Sequence, residues 1–323
     1  MARVLNSFKV RLGDEQVLSS GKSLLDYRLG EKLNLSKIKS FFQRSYNVKK
    51  LWHGSRHVLG ILTKNDTNYF LKLSTSEGIS IVTKNEYEWN NYFNQYFPKN
   101  FLFSVPKNYD SGLYRNKYFY LITDYFKGKL LCDISDTYKK SNNLIKYNLK
   151  IIELSELIQK IPMVGFTNYE EIDYRTRFTN KVSQWFNDIP INIRKKFKVE
   201  TLLNIVEKGV SKLSSKPRHG DFTPWHIIKL TDSRLGLIDG EHFLPDGVEG
   251  YDICYFIQRV FSILKNPQVA LDIYSKLLIK GYRKDILKPV LAARAIGGFL
   301  DESLTDKSDY NFANDFKDWV IGV

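Results

Sequence analysis

The sequence predicts an α+β protein with two lobes: a small N-terminal lobe built on an antiparallel sheet and a larger helical C-terminal lobe. Residues 46–73 contain three short runs typical of strands, separated by the turn pairs Gly54-Ser55 and Asn65-Asp66. Residues 144–161 carry apolar side chains at spacings of three or four, which is typical of an amphipathic helix. The pattern from residue 251 to the end is also mostly helical.

Strands are predicted at 46–53, 56–62 and 69–73, and a helix follows at 83–97. In that helix Trp89, Phe93 and Phe97 lie four residues apart, so they share one face. An aromatic and β-branched run predicts a further strand at 118–123.

Ser36 is predicted to cap a short helix that precedes the first strand. The sequence thus divides the chain into four parts: an N-terminal extension packed on the first lobe (1–45), a sheet-containing lobe (46–123), a hinge (124–129) and a helical lobe (130–323).

Composition excludes several classes of protein. The 323 residues are 43 % hydrophobic, with no apolar run long enough for a membrane span and no apolar core of signal-peptide length at the start. Cys132 and Cys254 are the only cysteines, and neither lies in a Cys/His cluster, so we expect two buried thiols and a cytoplasmic location.

The net charge of +14 is uneven, with +16 in residues 1–240 and −2 in the remainder. The lysines of the chain are scattered and not aligned along one helix, which favours a solvated surface. We therefore expect no specific nucleic acid as a partner. The sequence leaves the oligomeric state open.

Two aspartates stand in the most distinctive part of the chain. Asp221 lies in the polar turn HGDFTPWH at 219–226, and Asp239 follows an apolar strand 18 residues later, in LIDGE at 237–241. In a kinase-type site one carboxylate meets the acceptor hydroxyl and another holds the metal that bridges the nucleotide phosphates. Each aspartate alone is also a common cap or turn residue, but the pair favours the functional interpretation.

This pair, with Lys72 on a predicted strand and a glutamate on the following helix, resembles the aminoglycoside phosphotransferase and choline kinase family over about residues 46–260. The resemblance implies a protein-kinase-like fold and an enzyme that uses ATP and Mg²⁺ as cofactors. It implies Asp221 as the catalytic base and Asp239 as a metal ligand.

The resemblance also implies the nucleotide contacts. Lys72 would contact the α- and β-phosphates, with Glu86 as its partner, preferred to Glu88 because Glu86 shares a face with Trp89. Gly54 and Ser55 would form a loop over the phosphates, although a plain hairpin turn is equally consistent with them. Asp124 lies in a run that resembles the hinge, whose backbone would hydrogen-bond adenine.

Position 226 departs from the family, which has a metal-binding Asn where this chain has His226. Imidazole is a poor ligand for Mg²⁺, which prefers oxygen. Three outcomes follow: Glu241 supplies the missing oxygen, the enzyme works with one tightly held metal, or the site is a weakened pseudokinase that acts as a scaffold.

We expect a small-molecule acceptor such as a sugar, an amino alcohol or an aminoglycoside-like compound. Thr223 stands where protein kinases usually carry Lys, which favours a small-molecule kinase over a protein kinase. The helical segment at 162–217 and the C-terminal helices are expected to wall the acceptor pocket. The acids of the tail either bind a cationic acceptor or form a solvated face, and the basic body argues against a polycation.

Overall fold

The computed structural model describes residues 30–98, 102–137, 142–162 and 173–323, which form two compact units. The first unit contains the described residues of Arg11–Lys129 together with Ile228–Phe243. The second contains those of Leu130–Ile227 together with Leu244–Val323. Ile228–Phe243, which the sequence analysis assigns to the helical lobe, is therefore grouped with the sheet. Residues 1–29 of the expected N-terminal extension lie outside the described residues.

The first unit holds most of the described strands and two of the described helices. Its elements are α1 (Leu35–Phe42), β1 (Asn47–His53), β2 (His57–Lys64), β3 (Thr67–Ser74), α2 (Glu77–Tyr96), β4 (Phe103–Ser104), β5 (Asn108–Tyr114), β6 (Tyr118–Asp124), β7 (Gly128–Leu130), β9 (Ile227–Leu230) and β10 (Leu235–Leu237).

The larger sheet has the strand order β1-β2-β3-β6-β5, and all its neighbours are antiparallel. The two predicted turns join its first three strands. Asn65 and Asp66 both have positive φ, as a two-residue hairpin turn requires, and both residue types tolerate this conformation. A smaller sheet has the order β4-β10-β9-β7, with β4 and β10 parallel.

Helix α1 covers one face of the larger sheet. Ile38 and Phe42 are buried in a cluster with Leu71 and Leu73 of β3, which alternate with Lys72 and so lie on the opposite face from it. The predicted cap at Ser36 is wrong: Asn34 is the cap, and its side chain accepts a hydrogen bond from the Lys37 N–H.

Helix α2 begins six residues before its predicted start. The Ser76 side chain caps it by accepting from the Ile79 N–H. Gly78 and the β-branched residues that follow it disguise this first turn, because both have low helix propensity. The predicted inward face is confirmed, since Trp89 and Phe93 are buried.

The second unit is mostly helical, with one two-stranded antiparallel sheet. Its elements are α3 (Asn142–Ile158), α4 (Tyr174–Asp188), α5 (Ile191–Phe197), α6 (Glu200–Gly209), β8 (Ser215–Arg218), β11 (Leu244–Val248), α7 (Tyr251–Gln258), α8 (Pro267–Ile279), α9 (Lys284–Ser303) and α10 (Asn311–Gly322). Helix α9 is buried all round from Pro289 to Phe299, because this stretch is apolar on every face apart from Arg294, and the helix packs on α4, α6, α7 and α10.

The predicted α+β class is confirmed, with the larger antiparallel sheet in one unit and most of the described helices in the other. Cys132 and Cys254 are both buried, as expected. Among the described residues, no helix has the length and apolar character needed to cross a bilayer.

Candidate functional site

Lys72 lies at the centre of the larger sheet. In the register of the strands it pairs with Leu59 of β2 and Leu121 of β6. Because side chains alternate along a strand, Lys72 points away from the α1 core and towards the face that carries α2. The side chain is 12 % exposed.

Helix α2 supplies the partner that the sequence predicts. The Lys72 Nζ atom lies 2.6 Å from the Oε2 atom of Glu86. Glu86 is buried on the same face as Trp89, whereas Glu88 is only half-buried. The preference for Glu86 over Glu88 therefore matches the contact that the structure contains.

The loop after β10 brings two more carboxylates to the same ammonium group. Lys72 Nζ lies 2.6 Å from Asp239 Oδ1 and 2.6 Å from Glu241 Oε1. Asp239 has φ of 67°, a left-handed conformation that aspartate tolerates better than most residues. Its side chain is 27 % exposed, the most of the three acids in contact with Lys72.

Gly240 allows this loop to approach α2. A Cβ atom at Gly240 would lie 2.2 Å from Cδ1 of Trp89, a fully buried side chain that also contacts Phe243. Only glycine permits such a close approach, so the sequence Asp-Gly-Glu fixes both carboxylates beside Lys72.

Glu241 is held by residues of β2 and of the turn before it. Arg56 Nη2 lies 2.6 Å from Glu241 Oε2, and His57 Nε2 lies 3.2 Å from Oε1. The Glu241 side chain is 1 % exposed, so these contacts compensate a buried charge. Neither the role of Arg56 nor that of His57 was predicted from the sequence. A signal exists for His57, which lies two residues before the partner of Lys72 and therefore shares its face.

In Lys72 and Glu241, the neighbouring charges shift the pKa in the direction opposite to the effect of burial. Burial would lower the pKa of Lys72, but Asp239, Glu241 and Glu86 outweigh it and raise the pKa well above its ordinary value. Burial would raise the pKa of Glu241, but Lys72, together with His57 and Arg56, lowers it to about 2. Burial lowers the pKa of His57 to about 3, so its ring is neutral at neutral pH.

Glu86 behaves differently. Burial, with the nearby charges of Asp239 and Glu241, raises its pKa to about 7 although Lys72 opposes the shift.

With all three carboxylates ionised, the positive charges of Lys72 and Arg56 leave the cluster with one net negative charge. The oxygens of Glu86, Asp239 and Glu241 lie within 4.8 Å of one another, and an oxygen donor set with excess negative charge suits a hard divalent cation.

Gly54 and Ser55 form the tight turn between β1 and β2. The Gly54 N–H donates to the carbonyl of His57 at 2.8 Å, which closes the turn. Arg56 follows immediately and reaches Glu241, so the turn is tied to the carboxylate cluster.

Asp124 is the last residue of β6. Its N–H donates to the carbonyl of Lys107 at 3.0 Å, and its carboxylate accepts from the Lys107 N–H. The Asp124 N–H is thus engaged within the sheet, and the residues that follow it carry the next backbone groups of the expected hinge.

The predicted catalytic turn lies in the second unit, directly after β8. Asp252 at the start of α7 accepts hydrogen bonds from the backbone N–H groups of His219 (2.7 Å) and Gly220 (2.9 Å). Gly220 has φ of 85°, which favours glycine. These two hydrogen bonds and the conformation of Gly220 fix the backbone directly before Asp221. The Asp221 side chain itself remains 24 % exposed.

His226 lies against Asp221. Its Nδ1 atom is 2.9 Å from the main-chain oxygen of Asp221 and 3.6 Å from the carboxylate. A carbonyl oxygen only accepts, so Nδ1 carries a hydrogen, and in the neutral ring Nε2 has the lone pair.

The structure thus brings Lys72, Glu86, Asp239 and Glu241 together in one unit, and Asp221 and His226 together in the other.

Solved structures share this fold. Aminoglycoside phosphotransferase APH(4)-Ia matches with a TM-score of 0.61 at 15 % identity, over 90 % of this chain and 96 % of that chain. Spectinomycin phosphotransferase APH(9)-Ia, solved with ADP and spectinomycin, matches with a TM-score of 0.56 at 10 % identity, over 88 % and 93 %. A mutant of aminoglycoside 2'-phosphotransferase-IIIa, solved with GDP, matches with a TM-score of 0.57 at 11 % identity, over 89 % and 95 %.

No protein-family model and no curated protein sequence matches the chain. The likeness therefore rests on three-dimensional structure, and at these identities it shows the fold. The predicted protein-kinase-like fold, in the form found in aminoglycoside phosphotransferases, is confirmed.

Proposed function

We propose that this protein is an ATP-dependent phosphotransferase that moves the γ-phosphoryl group of Mg-ATP to a hydroxyl group of a small molecule. The observation that carries the proposal is the contact of Lys72 with both Glu86 and Asp239, in a chain that has the fold of aminoglycoside phosphotransferases. A lysine held by a helix glutamate beside a loop aspartate is the arrangement by which kinases bind and neutralise nucleotide phosphates.

Lys72 is proposed to contact the α- and β-phosphates, with Glu86 and Glu241 holding its ammonium group in place. The Gly54-Ser55 turn would lie over the phosphates, tied to the cluster through Arg56. Backbone groups at and after Asp124 would hydrogen-bond the base. The nucleotides in complexes of two neighbours, AMP-PNP and ADP, support ATP as the donor.

Asp239 is proposed as the main magnesium ligand, because it is the most exposed carboxylate of the cluster and its oxygens are hard donors. Glu241 is proposed as the second oxygen donor, in place of the Asn that His226 replaces. A bound magnesium ion would neutralise charge on the phosphates. The protein's own contribution is to hold the two carboxylates in position through Gly240 and Arg56.

Asp221 is proposed as the base that orients the acceptor hydroxyl and takes its proton. Its carboxylate is half-buried, in a turn that Asp252 fixes through two backbone hydrogen bonds. Such a fixed, partly exposed carboxylate suits proton transfer, because a base must lie within hydrogen-bond reach of the proton that it takes. The acceptor is proposed to be a small hydroxylated molecule, and the presence of hygromycin B and of spectinomycin in complexes of two neighbours supports a small-molecule partner.

The test is nucleotide binding and turnover in Asp221→Asn. We expect ATP to raise the melting temperature of both proteins in the presence of Mg²⁺. Turnover against a panel of sugars, amino alcohols and aminoglycosides should fall by about a hundredfold to ten-thousandfold in the variant. Unaltered turnover would remove Asp221 from this role, and absence of ATP binding would overturn the proposal.

A second candidate function is a nucleotide-binding scaffold without transfer activity. The observation that favours it is His226, whose ring replaces an amide oxygen and donates to the Asp221 carbonyl. Mg-dependent ATP binding without product formation from any acceptor in the panel would favour this candidate over the enzyme.

A further inference from the structure

Within the second unit, arginine and tyrosine side chains alternate in a continuous stack. The guanidinium of Arg294 lies 3.7 Å from the ring centre of Tyr255 and 5.7 Å from that of Tyr251. Arg218 lies over the other ring, 4.0 Å from the centre of Tyr251, and Arg259 lies 4.6 Å from that of Tyr255. We call these five residues the arginine–tyrosine stack.

The stack is poor in compensating acids. Asp301 contacts Arg259 at 2.6 Å. No carboxylate of the described residues forms an ion pair with Arg218 or Arg294. Asp252, whose charge acts on Arg218, is already engaged by the backbone N–H groups of His219 and Gly220.

Arg294 is a buried cation with few hydrogen-bond partners among the described residues. It is 4 % exposed, and the hydrogen-bond partner that the structure gives it is the Tyr251 hydroxyl, at 3.1 Å. Its Nε atom is buried without a hydrogen-bond partner among the described residues. A guanidinium has five N–H groups, and burying its charge with one neutral partner is costly unless another group compensates it.

The stack is electrostatically coupled to the proposed base. Burial would lower the pKa of Arg259, but Asp301 and Tyr255, with a further contribution from Asp221, raise it above its ordinary value. Burial raises the pKa of the Tyr255 hydroxyl, and the charge of Asp221 adds to this. Trp185 of α4 also lies over the Arg294 guanidinium, at 5.0 Å, so the helical segment expected to wall the acceptor contributes a ring.

We propose that the acceptor of this enzyme carries an anionic oxygen group, a phosphate or a carboxylate, which Arg294 and Arg218 bind. A planar guanidinium matches such groups with two parallel hydrogen bonds, and the tyrosine rings hold it in a fixed orientation. The inference rests on the proposed phosphotransfer, and it specifies the class of acceptor. The tail acid Asp301 is paired with Arg259. Its carboxylate is therefore already neutralised, which argues against its binding a cationic acceptor.

The test measures binding to the full-length protein by calorimetry, first without nucleotide and then with AMP-PNP and Mg²⁺. The probes are inorganic phosphate, glucose 6-phosphate, glucuronate, uncharged glucose, cationic glucosamine and kanamycin. We expect glucose 6-phosphate or glucuronate to bind at least tenfold more tightly than glucose. The better of the two identifies the group as phosphate or carboxylate.

Arg294→Met should abolish this preference, and Arg218→Met should reduce it. Arg283→Met, which removes an exposed arginine paired with Asp285, is the matched control and should leave the preference intact. If Arg294→Met does not fold, the Arg218→Met result and the binding series on the unaltered protein still decide the question.

Tighter binding of glucosamine or kanamycin than of the anionic sugars would overturn the inference. So would failure of inorganic phosphate and both anionic sugars to bind at millimolar concentration, or a preference that survives both substitutions. Anion binding without any ATP binding would instead count against the proposed phosphotransfer, so the two failures are distinguishable.

Discussion

Arg56 Nη2 lies 2.6 Å from Glu241 Oε2, so a single ion pair ties the turn before β2 to the loop after β10. The pair belongs to a cluster in which Lys72 and Arg56 face three carboxylates. Removing Arg56 therefore increases an existing excess of negative charge, whereas removing the charge of Glu241 relieves it.

We expect Arg56→Met to lower the free energy of unfolding by about 3 kcal/mol, because it leaves a buried carboxylate less compensated. Glu241→Gln should cost less, and the double variant should recover part of the loss. A double-mutant cycle by urea unfolding at neutral pH should give a coupling energy of about 1–3 kcal/mol.

The control is the exposed pair of Arg234 and Asp232, whose cycle should give less than about 1 kcal/mol. Equal coupling energies for the two pairs would contradict the view that burial makes the Arg56–Glu241 contact strong.

The raised pKa of Asp252 should make the free energy of unfolding depend on pH. Burial raises its pKa to about 6 in the folded state, from an ordinary value of 3.8, although the N–H groups of Gly220 and His219 oppose the shift. A raised folded-state pKa gives stability that is fully present below pH 3.8 and lost as the pH rises through 6.

Relative to Asp252→Asn, the unaltered protein should therefore lose about 2–3 kcal/mol of stability between about pH 4 and pH 7. Paired urea unfolding curves at several pH values measure this difference, and groups that titrate equally in both proteins cancel. A difference that does not vary with pH would show that Asp252 keeps an ordinary pKa.

Gly240→Ala should place a methyl group 2.2 Å from Cδ1 of the buried Trp89. Trp89 is fully buried between Phe93 and Phe243, so we expect the added methyl group to cost about 1–3 kcal/mol in the free energy of unfolding. Weaker ATP binding should accompany it, because Asp239 and Glu241 flank the glycine.

Gly322→Ala serves as the control, since a Cβ atom there meets nothing within 4 Å. Thermal unfolding and ATP titration of both variants make the comparison. A Gly240→Ala protein as stable as the control would mean that Trp89 moves aside.

His226→Asn should reduce the concentration of Mg²⁺ that gives half-maximal turnover, by about tenfold, because an amide oxygen is a harder ligand than an imidazole nitrogen. His53→Asn, at the exposed end of β1, is the control. Turnover measured against Mg²⁺ and Mn²⁺ concentrations tests this. Unchanged metal dependence in His226→Asn would place that residue outside the metal shell.

The sequence allows prediction of much of the sheet and of the contact between Lys72 and Glu86, because strand alternation and helix periodicity fix which side chains face inward. The contact of Arg56 with Glu241 could not be predicted from strand alternation or helix periodicity. The two residues are 185 positions apart, and their contact depends on the tertiary path of the loop after β10. Helix starts were also missed where Gly78 weakened the helical pattern.

The arginine–tyrosine stack was overlooked for a different reason. Arg294 is the single charge in the apolar stretch 289–300 of helix α9, and a lone charge at such a position is an informative signal. The stack depends on tertiary packing, which brings Tyr251 and Tyr255, one turn apart on α7, against this arginine.

The packing of α1 on the sheet has a practical consequence for anyone shortening this chain. A fragment starting at the first strand would lose Ile38 and Phe42, and with them the hydrogen bond from the Tyr118 hydroxyl to Glu31. It would present bare Leu71 and Leu73 to water, inviting self-association, so recombinant versions should begin upstream of residue 30.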